Sequence, residues 1–460
     1  MLLLVGAGTA QELLLQAHRP GLGVLVVTPA LIVVGGLWLP SRVALLALAL
    51  AGAVELLVPV MTGGGMVLDW VRHYELSLRY AGRPSLILPA YVSSRTALSE
   101  QVLAAFLAHV PQYWVFQAGS LLLNGLWMWP ATLILRASDP HAGPERLLVL
   151  ALSPLVLYYT AYSWPWALAT FFLLGAVWLA GRKGRAAAAG VGVGSAAALL
   201  VHPGMLGYVL GLGGWLAWRR RGALVAAVLA GVTVLVAQLP WVYDVTSGRG
   251  VATLVLHSDP GQAHVPLWVY AITRPMLAIH TVLPFAPLVP GLGWADLVLT
   301  ILVHSLPGAL LVLLLVAPRA LRPAGLAAWV MLAGATVALL IYPAEGLAVG
   351  ILDALFPAVV LLQLEALPRL SDSQAERAFR LAGILVLLAI GLVLGLAWAS
   401  GAEDRNVQLR GLYSARYLVE VLGPAPGILL LAAAVAAAGP AICSGRRFVR
   451  GSGRKELARL

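Results

Sequence analysis

Charge is scarce in this sequence. Of its 460 residues, 11% are Asp, Glu, Lys or Arg, against about 25% in a soluble domain. With 61% hydrophobic residues and a mean hydropathy of +0.91, that scarcity excludes a soluble enzyme, a disordered chain and a nucleic-acid binder. Cysteine is nearly absent. Cys443 alone excludes an intrachain disulfide and any Cys-based metal cluster. Lysine is almost missing as well, with Lys183 and Lys455 the two in the chain. The 30 basic residues, set against 19 acids for a net charge of +11, are therefore nearly all arginine, a bias that suits a GC-rich bacterial genome. In a soluble protein a pI near 10.1 would point to nucleic acid. In a chain this apolar it points to membrane orientation, because basic residues collect on the cytoplasmic side.

What the chain has instead is long apolar runs. A helix needs about 20 mostly apolar residues to cross the hydrocarbon core. Candidate spans fall at 22–39, 42–61, 115–135, 147–163, 166–181, 187–203, 205–218, 222–242, 294–317, 324–342, 347–365, 380–400 and 421–442. The stretch 2–17 reads as a further span or an interfacial helix. It carries Gln11 and Glu12 and has no small-residue cleavage site, so a removed signal peptide is not expected. The expectation is an all-α polytopic membrane protein, a single transmembrane domain over 1–460 with about 12–14 transmembrane helices.

The loops orient the bundle. With alternating sides, one side collects Arg182, Lys183, Arg185, Arg219, Arg220, Arg221, Arg319, Arg322, Arg369, Arg377 and Arg380. Arg42, Arg136, Arg146 and the basic tail 443–460 join them, so this side is expected to be cytoplasmic. The other side holds three long segments: 62–114, 243–293 and 401–420. In 243–293 an apolar stretch is interrupted by Pro266, Pro275, Pro284 and Pro287, which predicts interfacial or re-entrant helices over a cavity.

The first outer loop opens with Gly63-Gly64-Gly65 and continues Met66-Val67-Leu68-Asp69-Trp70-Val71-Arg72-His73-Tyr74-Glu75. In a helix, Asp69 and His73 share a face, with Arg72 and Glu75 on a neighbouring one. A carboxylate, an imidazole and a guanidinium at the mouth of an apolar bundle can do acid–base chemistry. Asp69 also suits the N-cap of a juxtamembrane helix over 70–81, and His73 suits a plain interfacial position; both readings stay open on the residues alone.

The segment Asp69-Trp70-Val71-Arg72-His73-Tyr74 resembles the start of the first characteristic outer loop of the GT-C superfamily of membrane glycosyltransferases. A second stretch, Leu152-Ser153-Pro154 through Tyr158-Tyr159-Thr160-Ala161-Tyr162-Ser163-Trp164-Pro165-Trp166, is similar to the hairpin between that family's third and fourth core spans. The resemblance covers residues 42–181, including outer loop 62–114. Two departures stand out: Trp70 occupies the place of a second adjacent acid, and at least one extra span precedes the family-like unit. No large C-terminal outer domain is expected after the last span, which leaves acceptor recognition to the bundle and its loops.

The resemblance implies an inverting transfer from a polyprenyl-phosphate-linked sugar donor, a membrane lipid, to a glycan, lipid or protein acceptor. It places the reaction at the extracytoplasmic face of a bacterial inner (plasma) membrane. It assigns the general base to Asp69. Phosphate and substrate contacts are sought among outer polar residues: His73, Arg72, Glu75, Arg274, His257, His264, Glu345, Arg410 and Tyr413. Arg274, inside an apolar Pro-broken segment, is the foremost phosphate ligand, since an arginine there is costly unless paired. Anchoring to headgroups is the plain alternative for the arginines and tyrosines. No cofactor is required and no metal site is assigned, although Asp69, His73 and Glu75 with His257 or His264 are suitable ligands for a divalent metal. Rival readings are a lipid-linked-saccharide flippase or transporter, using Glu55 and Asp353 inside spans, an O-antigen polymerase or ligase, and a non-enzymatic scaffold.

Overall fold

Runs of Ala, Leu and Val interrupted by Gly and Pro favour helices with abrupt ends. The computed structural model of the chain describes residues 1–36, 73–86, 98–139, 146–151, 156, 160, 165–246, 313, 315–321, 325–341, 349–378, 380 and 381. Among these described residues there are helices and short 3-10 turns, and no strand.

In chain order the helices are α1 (Leu2–Gln16), α2 (Val24–Gly36), α3 (73–80), α4 (Leu98–Leu107), α5 (Tyr113–Gly125) and α6 (Met128–Ser138). They continue with α7 (Arg146–Ala151), α8 (Trp166–Ala180), α9 (Arg185–Val201), α10 (Leu206–Arg219) and α11 (Arg221–Ala237). Then come α12 (Leu239–Thr246), α13 (Gly325–Ile341) and α14 (Val349–Ala366), with a further helical stretch over 372–378. The expected juxtamembrane helix over 70–81 is present as α3 in its described part. The expected span 222–242 is two helices, with Gln238 between α11 and α12.

One helix, Val115–Ser138, which joins α5 to α6, is long and apolar enough to cross a membrane among the described residues, with 24 residues and mean hydropathy 1.3. It covers the expected span 115–135. Apolar helices such as Leu2–Gln16, Trp166–Ala180, Arg185–Val201 and Arg221–Ala237 are shorter.

The core sits around α8. Every residue of α8 except Trp178 and Leu179 is buried, as expected for a helix apolar on all sides. Phe171 and Phe172 meet edge to face at 4.9 Å, and Trp129 from α6 stacks on Phe171 at 6.3 Å. Thr170 hides its hydroxyl on the Trp166 carbonyl at 2.8 Å, four residues back. By contrast α11 buries Ala227 and Val234 and turns Val225, Val228, Leu229, Val232, Leu235 and Val236 outward.

Small residues set how closely the helices pack. A Cβ on Gly192 of α9 would stand 1.8 Å from the Ala227 carbonyl oxygen of α11. Gly231 lies against Gly192 in return, its own Cβ position 3.2 Å from the Gly192 oxygen. The two backbones touch without side chains between them, a packing common where helices meet in lipid. A Cβ on Gly334 of α13 would likewise enter the Tyr208 ring of α10, at 2.1 Å.

Arginines close one set of helix ends. Arg220 donates to the carbonyl of Ala180 at 3.1 Å and to that of Arg182 at 2.5 Å, covering the C-terminus of α8. Arg182 lies over the Trp178 ring at 4.7 Å and Arg219 over Trp218 at 4.1 Å. Arg146 joins Asp139 at 3.0 Å to Asp372 at 3.5 Å and reaches the Leu367 carbonyl at 3.4 Å. The basic loops thus tie helix ends together.

Gly192→Ala should cost about 1–3 kcal/mol by forcing α9 from α11. Gly213→Ala, where a Cβ meets nothing within 4 Å, should be neutral. Thermal unfolding of the purified variants in detergent checks the pair; equal midpoints would refute the close contact.

Candidate functional site

The segment 62–114, expected to be the first outer loop, includes α3 and α4 among its described residues. The first residue of α3, His73, is 3% exposed. Nδ1 of His73 lies 2.5 Å from Oε1 of Glu100, which is 2% exposed on α4. The other carboxylate oxygen of Glu100 accepts from the Ser99 hydroxyl at 2.5 Å. Ser77 returns to the His73 carbonyl at 2.9 Å, one turn along α3. A carboxylate and an imidazole held this close out of water form a strong, orienting contact, and its geometry fixes which ring face the histidine presents.

The rest of α3 is fixed on every side. Tyr74 donates to the Pro111 carbonyl at 2.9 Å and packs edge-on to Tyr113 at 5.2 Å. Burial pushes its hydroxyl pKa up, and the neighbouring Glu75 adds to the shift. Tyr80 is fully buried and accepts a hydrogen bond from the Trp241 indole of α12 at 2.7 Å. Its pKa is pushed well above the ordinary value by burial, with the Glu12 carboxylate next in effect. Gly82 turns the chain after α3 with φ +64°, a conformation that favours glycine. Beyond it, Arg83 Nε donates to the Ala108 carbonyl at 3.1 Å, pinning the loop to the end of α4.

A buried polar seam backs this arrangement. On α1, Gln11 donates to the Tyr80 carbonyl at 3.2 Å. Glu12, 1% exposed, accepts from Gln101 of α4 at 3.1 Å and from Gln16 at 3.2 Å. Gln16 also donates to the Pro240 carbonyl at 2.9 Å, and Gln238 donates to Thr9 at 2.6 Å. The N-terminal helix is thereby hydrogen-bonded to α3, α4 and the start of α12.

Of the candidate site residues, the structure describes His73 and Glu75. His73 is an interior residue, not a plain interfacial side chain. Glu75 accepts the Leu86 backbone N–H at 2.7 Å through its carboxylate, while its carbonyl accepts from Ser85 at 2.7 Å. It therefore closes the turn after α3 from a half-buried position. Asp69, Arg72, Arg274, His257, His264, Glu345, Arg410 and Tyr413 lie outside the described residues. So do Glu55, most of segment 243–293, the loop 401–420 and the tail 443–460. Among the described residues no group of three or more His, Cys, Asp or Glu side chains is placed to hold a metal ion.

In the hairpin 152–168, Thr160 is buried, accepting from the Trp127 indole at 3.0 Å and donating to the Val156 carbonyl at 2.7 Å. At His202-Pro203-Gly204 the chain makes a 3-10 turn, Pro203–Met205. There His202 Nδ1 accepts the Gly204 N–H at 3.0 Å and the ring packs on Trp166 at 4.0 Å.

Glu100 is the residue that sequence reasoning missed. Leu98-Ser99-Glu100-Gln101 has the pattern of a helix start, with an acid in the first turn, and so reads as capping. The available signal was three consecutive polar residues at the head of an otherwise apolar helix.

Glu100→Leu should leave His73 without its carboxylate partner and cost about 1–3 kcal/mol, with Glu100→Gln losing less because its amide oxygen still accepts. Hydrogen exchange of the 73–80 amides reads the loosening. Unchanged exchange in Glu100→Leu would show that the contact does not hold α3.

No family model matches the sequence, and no curated protein matches it. Among solved structures, the chain is similar to the crystal structure of ArnT from Cupriavidus metallidurans, a GT-C glycosyltransferase, bound to undecaprenyl phosphate. The likeness covers 87% of this chain and 75% of that one, with a TM-score of 0.49 and 16% identity.

Proposed function

We propose that this chain is a multi-pass membrane glycosyltransferase of GT-C type, acting on a sugar carried by a polyprenyl phosphate. The observation that supports the reading is the anchoring of α3, which follows Asp69 in the sequence. Asp69 lies four residues ahead of His73, a side chain locked in the interior by Glu100, on a helix braced by α1, α4 and α12. A general base needs a fixed backbone beneath it, and the described helix nearest to Asp69 in the sequence is held at its first turn. The membrane part of the reading rests on composition and on the outward apolar face of α11, a surface that suits lipid rather than water. About 12–14 spans, a bacterial inner membrane and an active site on the extracytoplasmic side complete it.

The chemistry is a displacement at the anomeric carbon. An acceptor hydroxyl, on a glycan, lipid or protein, attacks that carbon as its bond to the phosphate oxygen breaks, with inversion. The hydroxyl proton goes to the Asp69 carboxylate, and the electron pair of the broken bond leaves with the polyprenyl phosphate. Arg274, with Arg410, His257 and His264, supplies the positive charge that the departing phosphate needs. Arg72, His73, Glu75, Glu345 and Tyr413 are assigned to substrate contacts. His73, held by Glu100, would present its imidazole in one orientation only.

The test is transfer from a panel of radiolabelled polyprenyl-phosphate sugars by the purified protein in vesicles. Asp69→Asn should lower transfer by about 10²-fold or more, with donor binding retained. Equal transfer by wild type and Asp69→Asn would remove the base. Movement of the lipid across the vesicle without transfer would replace the enzyme by a flippase.

A further inference from the structure

A second site lies apart from the outer loop, at two short turns on the basic side. The 3-10 turns Pro318–Ala320 and Leu367–Arg369 border a cavity of about 300 Å³, at the lower end of small-molecule pockets. One wall is apolar, made by Val316, Ala317 and Pro318, and the polar part is made by Arg319, Arg369 and Gln374. Among the described residues, every polar side chain lining the cavity carries N–H donors, and none is a carboxylate.

The two arginines differ in how they are held. Arg369 is fixed before any ligand arrives. Its Nη1 donates to the Ala320 carbonyl at 3.2 Å, and its Nη2 pairs with Glu365 at 3.0 Å. Arg319 is exposed and has no carboxylate partner among the described residues. Among the described residues Glu365 offsets the charge of Arg369, and the charge of Arg319 is left over. Gln374 accepts the Ser371 N–H through its amide oxygen at 3.0 Å, which orients the side chain and keeps its NH2 available as a donor.

We infer that this cavity binds the phosphodiester of an anionic phospholipid headgroup. One unbalanced positive charge matches the single negative charge of a phosphodiester. The arginine donors match its oxygens, and the apolar wall suits the glycerol and the first methylenes of the chains. Basic pockets between helices at the cytoplasmic surface are where such headgroups dock, and both turns belong to loops expected on that side. A bound phosphate bridging Arg319 to Arg369 would clamp the 318–320 turn to the end of α14, next to the Arg146 tie at Leu367. The site rests on the membrane reading of the chain but not on glycosyl transfer, and it is separate from the donor phosphate site sought on the other side.

The experiment uses the full chain in nanodiscs of phosphatidylcholine with and without phosphatidylglycerol, followed by thermal unfolding. Inorganic phosphate in detergent serves as a third arm. Phosphatidylglycerol should raise the wild-type midpoint by about 2–4 °C. Arg319→Gln, at an exposed position, should lose most of that shift while keeping the baseline midpoint. Arg221→Gln, another exposed arginine expected on the same side, should keep the shift. A shift retained by Arg319→Gln, or lost equally by Arg221→Gln, would overturn the pocket. A full shift with inorganic phosphate alone would overturn the lipid as its ligand. Failure to enter either kind of nanodisc would instead refute the membrane reading, whereas entry into both without any phosphatidylglycerol effect refutes the pocket alone.

Discussion

The contact between His73 and Glu100 constrains everything around the first outer loop. Both side chains are almost fully out of water, where an isolated charge or an unmade hydrogen bond is costly. They are tolerable there only together, so α3 and α4 can pack in one register. That register puts Tyr74 against Tyr113 and Tyr80 against the Trp241 indole. It also brings Gln101 to Glu12 and Tyr80 to Gln11, so α1 is drawn onto the same pair of helices.

The remainder of the bundle is held by a different balance. Apolar side chains face outward as well as inward, so helix association draws little from hiding them when the surroundings are lipid. Close backbone approach supplies the specificity instead, as at Gly192 with Ala227 and at Gly334 with Tyr208. Arginine adds direction at the helix ends. Its planar donors cover carbonyls that no helix can satisfy for itself, as Arg220 does at Ala180 and Arg369 at Ala320. Arginines expected from the amino-acid sequence to mark one side of the bundle therefore also act as structural ties, whereas Arg319 has no such tie among the described residues.

Much of the helical layout was legible before any coordinates. Apolar runs ended by Gly, Pro or arginine marked α8 to α11 and α13, and the turn at Pro203 followed from its own chemistry. The helix after Asp69 was legible from the spacing of its polar residues. The split at Gln238 was not, because Leu239-Pro240-Trp241 continues the apolar run without a charge. Nor was the place of Glu12, which read only against a signal peptide and is enclosed by Gln16 and Gln101.

Residue order and composition were enough for the all-helical class and for much of the helical layout among the described residues, because hydropathy acts locally along the chain. They were enough to name His73 and Glu75 but not to separate them. Folding sends His73 inward to Glu100, 27 residues further on, and keeps Glu75 at the turn it closes. Which partner a polar side chain meets is a matter of packing between helices remote in sequence. A carboxylate in the first turn of α4 looks the same in the sequence whether it faces water or a buried imidazole.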